Sequence, residues 1–244
     1  MATKEEIENL AQSLGITKLG FTTVDRLSEL PTGQILNTVN HKSVLEVFPK
    51  AKSVIIAMYK IWDPIFNIVA MGPIWQAKGT PLHDQGSDFY QLYSQVLDGK
   101  AWVLANHLNR RGYDSMVSRA IALKPAAAIA GLGVKGKNTL ILNPEHGPFV
   151  RFTSILTEAE FEPDAPLSED LCGDCIRCIE ACPTKALRPY EINFGRCLTY
   201  AAENQFSELV KDDVREVENK LILKPTLNSF CECAICQDVC PIRS

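Results

Sequence analysis

At 244 residues, with 46% hydrophobic and 22% charged residues, the chain can hold one large globular domain or two modest ones. Its formal net charge of −4, with no basic run, argues against a nucleic-acid partner. The longest apolar runs, such as 53–58, fall far short of the ~20 residues a membrane helix needs, so no membrane association is expected. The opening Met-Ala-Thr-Lys-Glu-Glu shows no charged-then-apolar leader, and Arg110-Arg111 is internal, so a cytoplasmic location is expected.

Residues 3–14 predict a helix, with Thr3 as cap, Glu6 completing a capping box and Gly15 as stop. Lys18–Thr23 reads as a strand. Residues 51–59 read as a buried strand behind Pro49. Residues 61–82 hold three prolines, two tryptophans and two glycines, which predicts a long loop and a binding wall or lid. A helix is expected over 88–109 and a strand over 113–119. A short Ala-rich helix over 125–130 is stopped by Gly131. Strands are expected over 139–142 and 149–156. Residues 156–166 are acidic and Pro-containing, the composition of a linker. The expected division is an α/β (α+β) domain over 1–165 and a metal module over 166–244, the latter interrupted by a charged helix over 203–220.

All nine cysteines follow position 171. Cys172, Cys175, Cys178 and Cys182-Pro183 fit C-x2-C-x2-C-x3-C-P, the spacing of two-cluster bacterial ferredoxins. Cys233, Cys236 and Cys240-Pro241 fit its C-x2-C-x3-C-P tail. A disulfide framework suits small secreted domains rather than a chain of this length. Zinc uses C-x2-C pairs too, but the x3-C-P endings argue for iron–sulfur. Thiolates two or three residues apart can reach separate corners of one cubane, while the fourth serves a second cluster. Two 4Fe–4S clusters with crossed ligation are therefore expected. The first takes Cys172, Cys175, Cys178 and Cys240; the second takes Cys182, Cys233, Cys236 and one more. Cys197 and Cys231 compete for that place. Cys197 is preferred, because Cys231 sits only two residues from Cys233.

Ala130–Thr139 carries Gly131, Gly133 and Gly136 with Lys135 and Lys137. Glycines there let backbone N–H groups approach a ligand closely. The spacing matches G-x-G-x-x-G, but a helix precedes it and a strand follows, the reverse of a dinucleotide-binding turn. A tight connection that binds nothing is the plain alternative.

The glycine loop with Asn138-Thr139-Leu140-Ile141, then Gly147-Pro148, Leu156-Thr157-Glu158, the first cysteine run with Pro183-Thr184-Lys185-Ala186, Cys197-Leu198-Thr199-Tyr200 and Cys236-Gln237-Asp238-Val239-Cys240-Pro241 occur in one order. That order resembles the epoxyqueuosine reductases and, more distantly, the respiratory reductive dehalogenases. The resemblance implies a nitroreductase-like domain that binds cobalamin, followed by a ferredoxin-like module that reduces the cobalt. It implies the same eight cluster ligands, Cys197 included. It also implies that Gly131, Leu132, Gly133, Lys135, Gly136, Asn138 and Thr139 line the cobalamin site, with Arg151 pairing with a corrin carboxamide, a substrate acid or Glu158. Counting back without gaps from Gly131, the place of the family's proton-donating aspartate falls on Val117. The family's C-terminal extension and the dehalogenases' export leader are absent, so a short stand-alone relative is expected.

The function expected is a cobalamin-dependent reductase, fed by an external low-potential donor of the ferredoxin or flavodoxin type and acting on a small organic substrate. Tyr59, Tyr90, Lys124 and His146 are candidate proton donors, since a positioned Tyr, Lys or His can act as a general acid. The alternative is an electron-transfer or corrinoid-activating protein that serves a corrinoid partner. A flavin in the nitroreductase-like pocket is a weaker third reading.

Overall fold

The structure is a computed structural model that describes residues 2–35, 39–61, 68–71, 89–225 and 229–242. In chain order the elements begin with helix α1 (Lys4–Ser13), strand β1 (Lys18–Thr23) and the small hairpin β2 (Gly33–Ile35) and β3 (Val39–His41). Helix α2 (Val44–Val47) and strand β4 (Ser53–Lys60) follow, then β5 (Ile68–Met71), β6 (Phe89–Gln91) and the long helix α3 (Leu92–Arg110). Next come β7 (Ser115–Ser118), α4 (Leu123–Ile129), β8 (Val134–Lys135), β9 (Ile141–Leu142) and β10 (Val150–Thr157). The last third holds α5 (Arg177–Ala181), β11 (Leu187–Arg188), β12 (Glu191–Ile192), α6 (Leu198–Glu203), α7 (Asp212–Leu221), β13 (Ser229–Cys231) and α8 (Ile235–Asp238).

The main sheet has the order β1-β4-β10-β7, with every pairing antiparallel. Both of its faces are covered, which is why β4 is an unbroken apolar run rather than an alternation of apolar and polar residues. Side chains alternate across a strand. Ile55, Ala57 and Tyr59 therefore enter one core with Phe21, Leu97 and Leu104 of β1 and α3. Val54, Ile56 and Met58 enter the other, with Ala126 and Ala127 of α4 and Leu132. A third core joins Leu198, Tyr200, Ala201, Val214, Ile222 and Phe230 of the cysteine module to Val69 of β5. That core is made partly from β5, which pairs with β13 on one side and β6 on the other.

Several expectations change in detail. Thr3 caps α1 by accepting from the Glu6 N–H, and the Glu6 carboxylate, which also interacts with the Thr3 backbone, pairs with His107 of α3 and with Arg111 just past its end. Part of the expected loop over 61–82 is strand β5, because its backbone pairs with β13 and β6. Residues 62–67 and 72–82 of that expectation lie outside the described residues. The helix expected from 88 begins at Leu92, after β6. Of the charged helix expected over 203–220, only Glu203, which ends α6, and residues 212–220, in α7, are helical; 204–211 join the two helices without helical structure. Arg215 explains the break, since its guanidinium donates to the carbonyls of Ala201 and Asn204 at the end of α6. The segment read as a linker is tied down at Asp164. Its carboxylate accepts from the Phe21 N–H at 2.8 Å and pairs with Lys4, and its carbonyl accepts from Arg26 at 2.8 Å. No helix among the described residues is long and apolar enough to cross a membrane.

Candidate functional site

The two cysteine runs meet because α5, between Cys178 and Cys182, packs on α8, which carries Cys236. A pocket between them is lined by Cys172, Cys175, Cys178 and Cys240, together with Lys137 and Asn138. Burial raises the pKa of Cys178, and the neighbouring charges of Cys172 and Cys175 raise it further. The loop around this pocket is at the surface: Gly173, Asp174 and Arg177 are exposed, as is Ile176.

The second set is deeper. Burial pushes the Cys233 thiol up to about 11, with the charges of Cys197 and Cys182 adding to the shift. Burial pushes Cys236 up to about 12, reinforced by Cys233, Cys197, Cys178 and Cys182. Buried thiols that disfavour a bare thiolate suit ligation by cationic iron, which supplies the missing positive charge. Cys182 accepts a hydrogen bond from the Ala186 N–H at 3.2 Å. Cys197 stands immediately before α6 and packs beside Cys233 against the third core. Cys231 differs: only burial raises its pKa, and no other cysteine contributes. Among the described residues, no group of three or more His, Cys, Asp or Glu side chains gathers as for a single metal ion. A cubane spreads its thiolates over separate iron atoms.

Beside the deep set, four charged side chains converge from both halves of the chain. Arg151 of β10 donates to Glu232 at 3.1 Å, and its guanidinium lies 4.8 Å from the centre of the Tyr93 ring. The Tyr93 hydroxyl donates to the same carboxylate at 3.0 Å. Burial opposes the charge on Arg151, but Glu232 and Tyr93 outweigh it and raise its pKa. Arg151 was expected to face a ligand or Glu158; its partner is Glu232, between Cys231 and Cys233. Lys124 of α4 keeps an exposed side chain. Even so, burial lowers its pKa, Arg151 lowers it further, and Cys197, Glu232 and Cys236 pull the other way. Burial pushes Glu203 of α6 up to about 7, with Glu232 raising it and Lys124 lowering it. Glu203 and Glu232 were missed from the sequence. The position of Glu232 between two cysteines was the one available signal.

Other expected residues lie elsewhere. Tyr59 is buried in the core and opposite Arg151 in the sheet, with Lys100 over its ring at 5.4 Å. Tyr90 pairs with Ala70 through its backbone; its side chain lies outside the described residues. His146 sits on the turn closed by Asn143 and Gly147, and burial lowers its pKa, as does Lys60. Val117 is in β7, opposite Ile155, packed against the core.

The glycine loop packs closely against its own neighbours. Leu132 is a fully buried core residue. A Cβ on Gly131 would meet the Ala165 carbonyl at 2.5 Å, and one on Gly133 the Leu142 carbonyl at 2.5 Å. On Gly136 it would meet the Leu142 side chain at 2.7 Å. Each of these glycines meets a close approach of the chain to itself that a Cβ would block. Gly133→Ala should cost about 1–3 kcal/mol through overpacking, read as a lower denaturation midpoint. An unchanged midpoint would show that the approach is not what requires glycine. Lys135 points out from β8, Thr139 takes a positive φ of 65°, and buried Asn138 donates to the Cys236 carbonyl at 3.4 Å.

A family model described as a 4Fe-4S double cluster binding domain matches residues 171–243. An epoxyqueuosine reductase of Listeria monocytogenes is 32% identical over 262 residues, covering 98% of this chain and 64% of the relative. A crystal structure of an epoxyqueuosine reductase with a tRNA-Tyr epoxyqueuosine-modified tRNA stem loop aligns with a TM-score of 0.68 at 27% identity. It covers 98% of this chain and 64% of that one. A reductive dehalogenase described with B12-dependent dehalogenation shares the fold, with a TM-score of 0.56 at 17% identity over 88% of this chain and 33% of that one. The chain thus spans just under two thirds of the length of the reductases it matches. One expectation is corrected outright. The absence of a nucleic-acid partner was inferred from net charge, and the related reductase with a bound tRNA stem loop overturns that inference. Net charge reports the mean field of the whole surface, whereas a stem loop is met by one local patch.

Proposed function

We propose that this chain, a relative of the epoxyqueuosine reductases along nearly its whole length, is an iron–sulfur reductase that works with a cobalamin. The observation that carries the reading is the convergence of Lys124, Arg151, Glu203 and Glu232 beside the deep cysteine set. The division is a nitroreductase-like half over 1–165 and a ferredoxin-like module over 166–244, in the cytoplasm. Cys172, Cys175, Cys178 and Cys240 hold the surface cluster, which an external ferredoxin or flavodoxin can reach. Cys182, Cys197, Cys233 and Cys236 hold the deep cluster, beside Lys124, Arg151, Glu203 and Glu232. When bound, a corrin supplies a strongly reducing cobalt centre, and the protein supplies position and electrostatics.

The chain's own groups have distinct tasks. Arg151 and Glu232 neutralise each other and fix the second cysteine run on β10. Lys124 presents a cation beside the deep set, and Glu203, pushed up to about 7 by burial, can hold a proton there. The glycine loop supports the first cysteine loop through Lys137. The related reductase with its tRNA stem loop makes an epoxyqueuosine-bearing stem loop the first substrate to test.

One observation favours a second reading, a corrinoid-activating protein without its own substrate chemistry. Val117 packs against the core, so the gapless position of the family's aspartate offers no proton donor. The test mixes anaerobically reconstituted protein with hydroxocobalamin and follows both through gel filtration. Cobalamin co-eluting at about one per chain is expected; none retained overturns the cobalamin reading. Turnover of the stem loop then separates the two readings.

A further inference from the structure

The glycine loop spends most of its backbone donors on its own neighbourhood. The N–H groups of Gly131, Leu132, Gly136 and Thr139 donate to the carbonyls of Ala128, Ala127, Leu140 and Gly136. That of Lys137 donates instead to the Cys172 sulfur at 3.4 Å. The Lys137 ammonium reaches the Gly173 carbonyl at 2.5 Å, one residue further along the cysteine loop. The contacts form a closed ring. The Lys137 carbonyl accepts from the Tyr190 N–H at 3.2 Å, the Tyr190 hydroxyl reaches Asp170 at 3.5 Å, and Asp170 accepts from the Cys172 N–H at 3.0 Å. Lys137 also lines the pocket shared by Cys172, Cys175, Cys178 and Cys240. A cationic side chain and an N–H donor from the N-terminal half are thus built onto one thiolate of one cysteine set.

We propose that Lys137 is a positioning residue that raises the reduction potential of the surface cluster, a proposal that rests on the ligand reading above. Reduction adds one negative charge to a cluster already ringed by four thiolates. A nearby ammonium and a hydrogen bond to sulfur stabilise that added charge, and net charge and hydrogen bonding are what set such potentials. The deep cluster, with Arg151 already matched by Glu232, receives no such unbalanced cation from Lys137. The glycine loop then has a role in electron entry, which accounts for a lysine in a loop whose glycines serve packing.

The test is a redox titration of the full chain with reconstituted clusters, followed by electron paramagnetic resonance. Lys137→Met keeps the backbone N–H and removes the charge. It is expected to retain about eight irons and to move one couple negative, cutting its reduced-to-oxidised ratio about tenfold at fixed poise, or about 59 mV for one electron. The other couple should stay in place, and Lys137→Arg should restore the first. Two unmoved couples at full iron content overturn the proposal. If Lys137→Met loses a cluster, Lys137→Gln decides, since it can still donate to the Gly173 carbonyl without charge; an unmoved couple there overturns the proposal too. Fewer than eight irons in the unmodified chain would count against the ligand reading and not against Lys137.

Discussion

Cys197→Ser is expected to halve the iron content, from about eight irons per chain to about four, while Cys231→Ser keeps both clusters. The two cysteines look equivalent as leftover thiols, and the fold separates them. Cys197 sits where the backbone turns into α6, beside Cys233 and within reach of the Cys182 charge. Cys231 is held in β13, opposite Ile68, and its N–H is bonded to the Leu223 carbonyl. A serine hydroxyl is a poor iron ligand beside a thiolate, so losing one true ligand removes its cluster. Iron analysis and the optical spectrum of anaerobically reconstituted protein check this. The opposite pattern, iron lost with Cys231→Ser and kept with Cys197→Ser, would reverse the assignment.

The second large effect is at Glu232. Its side chain is 9% exposed and that of Arg151 16%, so the pair is nearly dry. Breaking such a pair from one side leaves the other charge without compensation, which costs about 3–5 kcal/mol. Glu232→Ala should therefore lower stability by that amount in denaturant titration of the full chain. It also strips the Tyr93 hydroxyl of its acceptor. Glu232→Gln keeps an acceptor and should cost less. Replacing both partners by apolar side chains, Arg151→Met with Glu232→Leu, should recover much of the loss, because no lone charge is left buried. A loss for Glu232→Ala below about 1 kcal/mol would mean that solvent reaches Arg151 and that the pair does not hold the two halves together.

Much of the main sheet was legible. β1, β4 and β10 announce themselves as apolar runs of strand length, and the hydrophobic spacing of α1 and α3 matches their buried faces. What failed did so for tertiary reasons. Residues 68–71 sit in a segment rich in proline and glycine, and pairing with β6 and with β13, the latter drawn from the other end of the chain, makes them a strand. The charged run 203–220 has helical composition throughout. Its break depends on Arg215 folding back onto two carbonyls, a contact that no local pattern encodes. At the glycine loop the structure adds a packing reason for the motif, because a glycine required by Leu142 or Ala165 is indistinguishable in sequence from one required by a ligand.

Cysteine spacing alone determined the chemistry. Ligand positions within one cubane are set by short loops, whose reach depends on residue count and therefore shows in the sequence. The same is true of the order of motifs that relates the chain to the reductases. Only the tertiary structure decided the surroundings of the metal. It brought Arg151 to Glu232, Lys124 and Glu203 to the deep cysteines, and Lys137 to Cys172, and it put Val117 against the core. Arg151 and Glu232 lie 81 positions apart in the chain and Lys137 and Cys172 lie 35 apart, and they meet because whole helices and strands pack against one another. Burial and electrostatics act through space, so spacing along the chain carries no record of them.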